Sequence, residues 1–539
     1  MKRAGRLVQK WQMDMADELA KVTEESARGG FFLISGSAIA TVIMAVASIL
    51  VTRFLGSDLY GQYTLALVVP QLLFLFTDLG VSQGVTKFTA YFKMKADTHQ
   101  IRKIIKYGLL LRASAGIAIS VVTYLFADTL ATFLIQRPDL ALYVQIASLS
   151  ILPQVIFTTA NSAFVGLDKT EFSALTANAN AIAKAIVSIT LVLLGYSVIG
   201  AIAGYVLGYV VAAVASGVLV FLLVRGKGES KGEGNVFDGL KTMLHYGFPL
   251  YLSILFAGFI PLYNEFILSY FTTYSDVGNY KAAVNFVSLM AVLTIPITTA
   301  LLPAFSKLNS LSVEKVRAFY RLAKKYTAIV IVPITFLIII FSKEVVEITY
   351  GSTFESTSLF LSTYCLLYFL VGIGYLVLPS LYNGLGETRV TFEMSLITFL
   401  MLAVQAPFLT TTYGVQGLIT AFLVASAVGT LYGLGVARKK FQVTFDALTL
   451  LKVYLVSAVS CVSAVLVLYF VYHSLVFKIV VGGFSYLFLY VTLLAMTKTV
   501  TLAELNKASS IAGKTLAFAI VAKPVLWYMR KLARFKQDS

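Results

Sequence analysis

The chain has 539 residues, of which 58% are hydrophobic and only 13% charged, with a net charge of +17 and a mean hydropathy of +0.84. A soluble chain carries about 25% charged residues, and a water-soluble fold of this size could not cover its surface with so few polar groups. The sequence therefore specifies an integral membrane protein. Its two cysteines, Cys365 and Cys461, lie inside apolar runs, and its three histidines, His99, His245 and His473, are far apart. A disulfide framework and cysteine- or histidine-based metal chemistry are excluded, and neither a metal nor a cofactor is expected.

A bilayer-spanning helix needs about 20 mostly apolar residues. Before the first such run, the arm over 1–30 places Leu7, Trp11, Met15, Leu19 and Val22 on one helical stripe, the pattern of an interfacial helix. Fourteen candidate spans then follow, near 31–52, 63–85, 107–127, 140–165, 172–194, 198–224, 246–271, 282–304, 326–341, 358–380, 390–411, 414–436, 452–473 and 475–497. The first is too long for a signal-peptide core and no small-residue cleavage site follows it, so it reads as a retained span. Between spans 6 and 7 the stretch 225–245, with Gly226, Gly228, Gly232, Gly234 and Gly239, reads as a polar, flexible connector. After span 14, Thr501-x-x-Glu504 predicts a capping box opening a basic C-terminal helix within 498–539.

Lysine and arginine set the orientation, because basic loops stay on the cytoplasmic side. With the N-terminus inside, the inner segments hold 36 of the 43 basic residues. The outer loops hold only Arg53, Arg137, Lys281, Lys343 and Lys478, while Arg112 and Lys184 lie within spans. Both termini are thus expected in the cytoplasm. The positive charge is explained by the anionic inner leaflet, each basic residue near that surface contributing about 1 kcal/mol, and calls for no nucleic acid.

The two halves echo one another. Gly61-Gln62-Tyr63 matches Gly278-Asn279-Tyr280, Gly166-Leu167-Asp168-Lys169-Thr170 matches Gly384-Leu385-Gly386-Glu387-Thr388, and Tyr196-x-Val198-x-Gly200 matches Tyr413-x-Val415-x-Gly417, at shifts of 217 or 218. Each repeat holds six spans, an even number, so the two units share one orientation. The predicted fold class is all-α: two parallel six-helix lobes, 31–224 and 246–436, around a central cleft, plus two extra helices in 437–497. Two lobes in one chain remove the need for a partner subunit, so a functional monomer is expected. Nine of the eleven prolines lie in or at the edge of spans, which suits bent helices, and span 7, with Pro249 and Pro261, is the best hinge candidate.

The run Arg53-Phe54-Leu55-Gly56-Ser57-Asp58-Leu59-Tyr60-Gly61-Gln62-Tyr63, followed by Thr77-Asp78-Leu79-Gly80, resembles the first two spans of the polysaccharide-transport (oligosaccharide) flippases. That family sits in the superfamily that also holds the multidrug and toxin extrusion exporters and the lipid II flippases. Asn264-Glu265-Phe266-Ile267-Leu268-Ser269-Tyr270-Phe271, leading to Val277-Gly278-Asn279-Tyr280-Lys281-Ala282-Ala283, resembles the start of the family's second lobe, and Pro303-Ala304-Phe305-Ser306-Lys307 its motif closing span 8. The family often has an acidic residue where Asn264 or Glu265 falls. The resemblance covers roughly 30–436 and implies transbilayer movement of a lipid-linked oligosaccharide in the cell membrane, without catalysis.

Polar residues inside spans sharpen that expectation, since a charge at the centre of a span is disfavoured by about 2.5–3.5 kcal/mol and usually faces a cavity or a partner. Ser173, Ala177, Asn180, Lys184 and Ser188 form one small-and-polar stripe on span 5. Arg112 in span 3 and Asp78 in span 2 lie at similar depth, which fits either a structural ion pair or contact with substrate. Arg53 either snorkels or guards the outer mouth of the cleft, and Asn161 and Asn178 fit either lining groups or interhelical hydrogen bonds. In the second repeat Lys184 has the apolar counterpart Met401 and Arg112 falls on the apolar run that includes Ile331, so the first lobe is expected to supply positive charge to a phosphate or pyrophosphate joining sugar to lipid. The chain has no phosphate-binding loop, leaving passive flipping or ion coupling through Asp78 or Glu265, with Asn264 beside it. Rival readings are an organic-cation exporter, which would want an acidic cleft, a membrane-embedded glycosyltransferase or glycan ligase, which would want a larger extramembrane domain, and a scaffold, which would not need a buried lysine.

Overall fold

The computed structural model describes residues 2–225, 236–308, 313–443, 446–471, 474–512 and 516–535. The side-chain stripe expected on the N-terminal arm and residues 226–235 of the connector lie outside the described residues. The chain is helical throughout, with no strand among the described residues. In order it forms α1 (Lys2–Leu75), α2 (Val81–Met94), α3 (Thr98–Leu125), the short α4 (Ala127–Phe133) and α5 (Ala141–Ser148), α6 (Ile151–Gly166), α7 (Thr170–Leu191) and α8 (Ser197–Val224). There follow α9 (Val236–Phe271), α10 (Tyr274–Leu289), α11 (Ala291–Leu308), α12 (Val313–Ile340), α13 (Ser342–Thr349), α14 (Thr357–Cys365), α15 (Val377–Gly384) and α16 (Thr388–Phe441). The C-terminal elements are α17 (Ala447–Phe470), α18 (Leu475–Met496), α19 (Leu502–Ala512) and α20 (Leu516–Phe535).

By length and composition, nine helical stretches among the described residues are able to cross a bilayer, or up to eleven if two bent pairs, Pro138–Ser148 with Ile151–Gly166 and Thr357–Ile373 with Val377–Gly384, each count as one span. The protein is thus a multi-pass membrane protein. Its helices are apolar on the outside and small within. On α8, Leu207, Val211, Val214, Val218 and Phe221 are exposed at helical spacing, while Gly204, Gly208 and Ala212 are buried against neighbours. Exposed aliphatic stripes of this kind are unstable in water and at home in lipid.

Three of the nine stretches contain a break. Gly56 (φ 75°, ψ 172°) interrupts α1, Gly195 (φ 91°) and Ser197 (φ 48°, ψ −130°) separate α7 from α8, and Gly414 (φ 58°, ψ −140°) interrupts α16. At the last two the chain reverses. A Cβ on Gly204 or Gly208 would stand 2.1 Å from Ser188 Oγ and 2.8 Å from Lys184 Cβ, so α8 runs antiparallel to α7 at backbone contact. A Cβ on Gly417 would stand 1.9 Å from the Leu409 carbonyl and one on Gly433 2.5 Å from Met394 Sδ, which folds α16 back on itself in the same way. Small residues let membrane helices approach this closely. Ser197 and Gly414 are a shift of 217 apart and share one unusual backbone conformation; Asp168 (φ 56°) and Gly386 (φ 79°), 218 apart, are a second such pair. The duplication seen in sequence is therefore also present in local backbone geometry.

Packing divides the chain into two compact units, Met1–Gly278 and Asn279–Ser539. In the first, α2, α3, α6, α8 and α9 share a core that includes Val81, Val85, Ile105, Phe164, Val220 and Met243. The helix α9, which the repeat groups with the second lobe, packs here within the first unit. Gly247 lies backbone to backbone on Gly80, where a Cβ would meet the Gly80 carbonyl oxygen at 1.9 Å, and the Tyr251 hydroxyl donates to the Leu75 carbonyl at 3.0 Å. At the other end of α9, the Arg137 guanidinium donates to the Ser269 and Thr272 carbonyls, and Ser275 donates to Ser57 at 2.9 Å. These bonds gather the turns after spans 1, 3 and 7 on one face, while Lys93 joins the turns after spans 2 and 4 through Leu167 and Asp168.

In the second unit, Phe305, Tyr320, Leu381, Tyr382 and Leu434 centre a core built by α11, α12, α15 and α16, and Tyr382 donates to the Gly433 carbonyl at 2.6 Å. Its C-terminal part is tied down. The Thr501 backbone N–H donates to Glu504 at 2.8 Å and the Glu504 N–H to the Thr501 hydroxyl at 3.3 Å, the reciprocal capping box expected there. Lys325 of α12 donates to both Glu504 oxygens, at 2.8 and 2.9 Å. On α20, Tyr528 stacks on Phe488 with its hydroxyl 3.0 Å from that of Thr492, Met529 is buried, and Trp527 stays exposed. Burial alone would raise the Glu504 pKa; the Lys325 ammonium and the Thr501 N–H and hydroxyl outweigh it and hold the carboxyl down at about 2.

Two predictions follow from this packing. Because Ser197 holds a conformation suited to glycine, Ser197→Gly should stabilise the solubilised protein by about 1 kcal/mol and Gly414→Ser should destabilise it by a similar amount, measured by thermal unfolding. Because the Glu504 pKa is depressed, its contribution to docking the C-terminal helices is complete above about pH 4.5 and lost as the pH falls toward about 2. Glu504→Gln should reproduce the acid state at neutral pH, read as a change in Trp527 emission in a Trp11→Phe background.

Candidate functional site

The polar groups that the sequence places inside the first unit fall into two settings. The first centres on a break in the helix. Residues 76–80 are unwound between α1 and α2, with Leu79 (φ 47°) and Gly80 (φ 90°) in left-handed conformation. Asp78 accepts from the Ser82 N–H at 2.9 Å, capping the new helix, and Thr77 donates to the Phe74 carbonyl at 2.7 Å. Arg112, from the middle of α3, is 2% exposed and lies against this turn. One guanidinium nitrogen donates to Ser82 at 2.8 Å and to Thr158 and Thr159 at 3.0 Å; the other reaches Thr77 at 3.4 Å. Its Nε stands 3.4 Å from Asp78 Oδ1, an ion pair rather than a hydrogen bond. Of the two readings open from the sequence, this conformation has the ion pair.

The second setting is the α7–α8 hairpin. Along α7, Leu175, Ile182, Ile186 and, just beyond it, Leu193 form the exposed apolar face, and Lys184 and Asn180 lie on the opposite side. Both are half-buried and abut Gly208 of α8, whose missing side chain leaves them room. The Lys184 ammonium lies 4.2 Å from the centre of the Tyr205 ring, a close cation–π contact. The Tyr205 and Tyr209 rings meet edge to face at 5.1 Å, and the Phe157 ring of α6 lies 6.2 Å from that of Tyr209. Tyr63 of α1 packs against the same group. The sequence reading missed this aromatic wall, although Gly204-Tyr205-x-x-Gly208-Tyr209 repeats a glycine–tyrosine pair at a spacing of four on a helix facing the polar stripe.

The other candidates are dispersed. The Asn178 amide donates to the carbonyls of Gly36 in α1 and Ala174 at 3.1 and 2.7 Å, and Asn161 accepts from Thr176 at 3.2 Å, so both join helices. Asn264 and Glu265 are buried in α9, 2% and 4% exposed, and Arg53 is exposed three residues before the Gly56 break. Among the described residues no group of three or more histidine, cysteine or acidic side chains is placed to hold a metal ion.

The Arg112 cluster predicts a stability effect. Arg112→Ala leaves Asp78 without its cation and four hydroxyls without a donor, and should destabilise the solubilised protein by about 3–5 kcal/mol. Asp78→Asn, which keeps a cap for α2, should have a smaller effect, and a double-mutant cycle in thermal unfolding should give a coupling energy well above zero.

The comparisons with known proteins bear on this arrangement. The family described as polysaccharide biosynthesis protein matches residues 26–309, more than half of the chain. No curated protein sequence matches it. The lipid II flippase MurJ, in an inward closed conformation, superposes with a TM-score of 0.70 at 17% identity, covering 85% of this chain and 98% of that one. An inward-facing multidrug resistance MATE family transporter of the MOP superfamily gives 0.61 at 18% identity, covering 76% and 98%. A MOP superfamily transporter from Pyrococcus furiosus, described as having a binding pocket of reverse polarity, gives 0.53 at 14% identity, covering 78% and 95%. The fold is therefore the one shared by these membrane transporters, and the protein belongs to the polysaccharide biosynthesis protein family.

Proposed function

We propose that the protein is a flippase that moves a lipid-linked oligosaccharide or polysaccharide precursor across the cell membrane by alternating access of its two lobes. The observation that carries this reading is Lys184: a cation at mid-span, turned from the lipid-facing side of α7 and held over an aromatic ring beside an amide. A lysine in such a place meets a headgroup phosphate or pyrophosphate as a point charge. The lipid II flippase, whose fold is shared, moves a lipid-linked molecule, which supports a lipid-linked substrate here. The sugar crosses in water while the lipid tail stays in hydrocarbon, which avoids dragging unsatisfied hydroxyls through lipid.

The finer architecture follows. The three glycine-broken stretches, each counted as two crossings, bring the candidate spans to fourteen when each bent pair is one span, with both termini in the cytoplasm and the basic inner face on the anionic leaflet. We assign substrate contact to Lys184 and Asn180 and a positioning role to Arg112, whose donors are engaged by the broken turn in this conformation. Arg53 stands at the outer end of its span, a guard for entering or leaving headgroups. Asn178 and Asn161 hold α7 in place. Asp78 and Glu265, with Asn264, are the groups suited to gating or ion coupling. The chain acts as a monomer, with no cofactor and no chemical step. An organic-cation exporter, the nearest alternative, would want a carboxylate where Lys184 stands.

Reconstituted in liposomes with a fluorescent prenyl-pyrophosphate disaccharide, the wild type should expose inner-leaflet label to an external quencher. Lys184→Gln should abolish that movement with unchanged thermal stability, and Lys184→Arg should retain part of it. Normal flipping by Lys184→Gln overturns the assignment.

A further inference from the structure

The last helix lies at the depth of a membrane span. Tyr528 of α20 stacks on Phe488 of α18 with ring centres 5.5 Å apart, and its hydroxyl stands 3.0 Å from that of Thr492. Phe488 ends an exposed apolar stripe on α18, formed with Phe477, Val480 and Phe484, which is the lipid-facing side of that span. Residues 488 and 492 precede the end of α18 at Met496 by about two turns and about one turn. At about 1.5 Å per residue, Tyr528 therefore sits about 6–12 Å inside the end of the span, level with the headgroups and first acyl carbons of one leaflet. Composition changes along α20 in the same sense. Its first turns, Leu516-Ala517-Phe518-Ala519-Ile520-Val521-Ala522, carry no charge, and Lys523, Arg530, Lys531 and Arg534 follow. Met529 is buried, and on the opposite side Lys523, Trp527 and Lys531, spaced by four, are all exposed. The Lys531 ammonium is 5.5 Å from the centre of the Trp527 ring, while Arg530 donates to the Leu526 carbonyl of its own helix at 3.3 Å.

We infer that the Lys523–Trp527–Lys531 face of α20 is a docking surface for anionic phospholipid. The Trp527 indole enters at the boundary between headgroups and acyl chains, and Lys523 and Lys531 reach outward to a phosphate on either side of it. Indole and lysine are the side chains that settle there, the ring by its amphipathic shape and the ammonium by snorkelling on its apolar stem. The helix has no acidic residue between Leu516 and Phe535. Its charge therefore matches a headgroup with net negative charge and repels the ammonium of a zwitterionic one. The depth of Tyr528 beside α18 makes the occupant a lipid and not an acidic soluble protein. At the root of this segment the Lys325–Glu504 pair fixes the start of α19 to α12, so that α20 meets the surface at a set place. The leaflet concerned is the inner one in the orientation proposed above, and the inference is independent of what the protein moves.

The test uses the full-length protein with Trp11→Phe, which leaves Trp527 as its single tryptophan, in nanodiscs of phosphatidylcholine with increasing phosphatidylglycerol. Bromine on the acyl chains of one lipid or the other quenches an indole that touches that lipid, and acrylamide quenches one in water. Brominated lipid should quench Trp527 and acrylamide should not, and at equal amounts brominated phosphatidylglycerol should quench several-fold more than brominated phosphatidylcholine. Lys523→Gln combined with Lys531→Gln should lower the apparent affinity for phosphatidylglycerol about tenfold. Strong salt should lower it in the parent protein too. Quenching by acrylamide and not by brominated lipid overturns the proposal, because the face is then in water. Protection from both quenchers in discs that hold two copies overturns it in favour of a second copy of this chain. Equal quenching by the two lipids, unchanged in the double lysine variant, overturns the selection of anionic headgroups. None of these readouts uses transport, so the flippase reading stands or fails separately.

Discussion

Inside a bilayer, any backbone group released from a helix has to find its hydrogen bond within the protein, because no water is there to supply it. That constraint organises this molecule. Where the chain unwinds after Leu75, the carbonyl left behind is taken by Tyr251 of α9, and the restarted helix is capped by Asp78. In the second unit, a 3₁₀ segment over Leu366–Ile373 is stitched in the same manner by Tyr454 of α17, which donates to the Phe369 carbonyl and accepts from the Gly372 N–H at 3.1 Å. At these two breaks a tyrosine from a neighbouring helix bonds the irregular backbone. Removing such a hydroxyl leaves an unmet polar group in hydrocarbon, where the penalty is several kcal/mol.

The same constraint separates two cations that the sequence places inside spans of the first unit, Arg112 and Lys184. Arg112 has five N–H donors in a fixed plane, which suits a cluster of hydroxyls around an irregular turn. Four hydroxyls and a carboxylate surround it, so in this conformation its charge is spent on the fold. Lys184 is a point charge on a flexible stem, held over the face of the Tyr205 ring.

The duplicated architecture is visible in small residues as much as in spans. Gly200 and Gly417 each press on the preceding helix where a side chain would not fit. Gly166 and Gly384 do the same against α2 and α11. The tolerance for a serine at 197 where the other copy has glycine at 414 indicates that the hairpin imposes the turn and the residue accommodates it, at a strain of about 1–3 kcal/mol.

The all-helical class of fold, the apolar runs that make it a multi-pass membrane protein, the internal repeat and the capping box at Thr501 were determined by sequence, because each depends on residues close along the chain or on a fixed period. The polar stripe that carries Lys184 was legible for the same reason: helical spacing puts Asn180 and Lys184 on one face whatever surrounds them. What the tertiary structure alone decided is which neighbour each polar group meets. Arg112 and Asp78 were compatible with either a pair or a substrate site until α3 was seen against the broken turn. The aromatic residues that pack with Tyr205 and Tyr209 come from α1 and α6, Tyr63 and Phe157, and no pattern within α7 or α8 announces those two. Helix α9 packs with the first unit although the repeat numbers it with the second, since glycine-to-glycine contact with Gly80, the bond from Arg137 to the Ser269 carbonyl and the bond from Tyr251 to the Leu75 carbonyl join positions 132 to 176 residues apart. Contacts at such separations are set by how helix faces fit together, and shape complementarity between faces is not written in the period of either one.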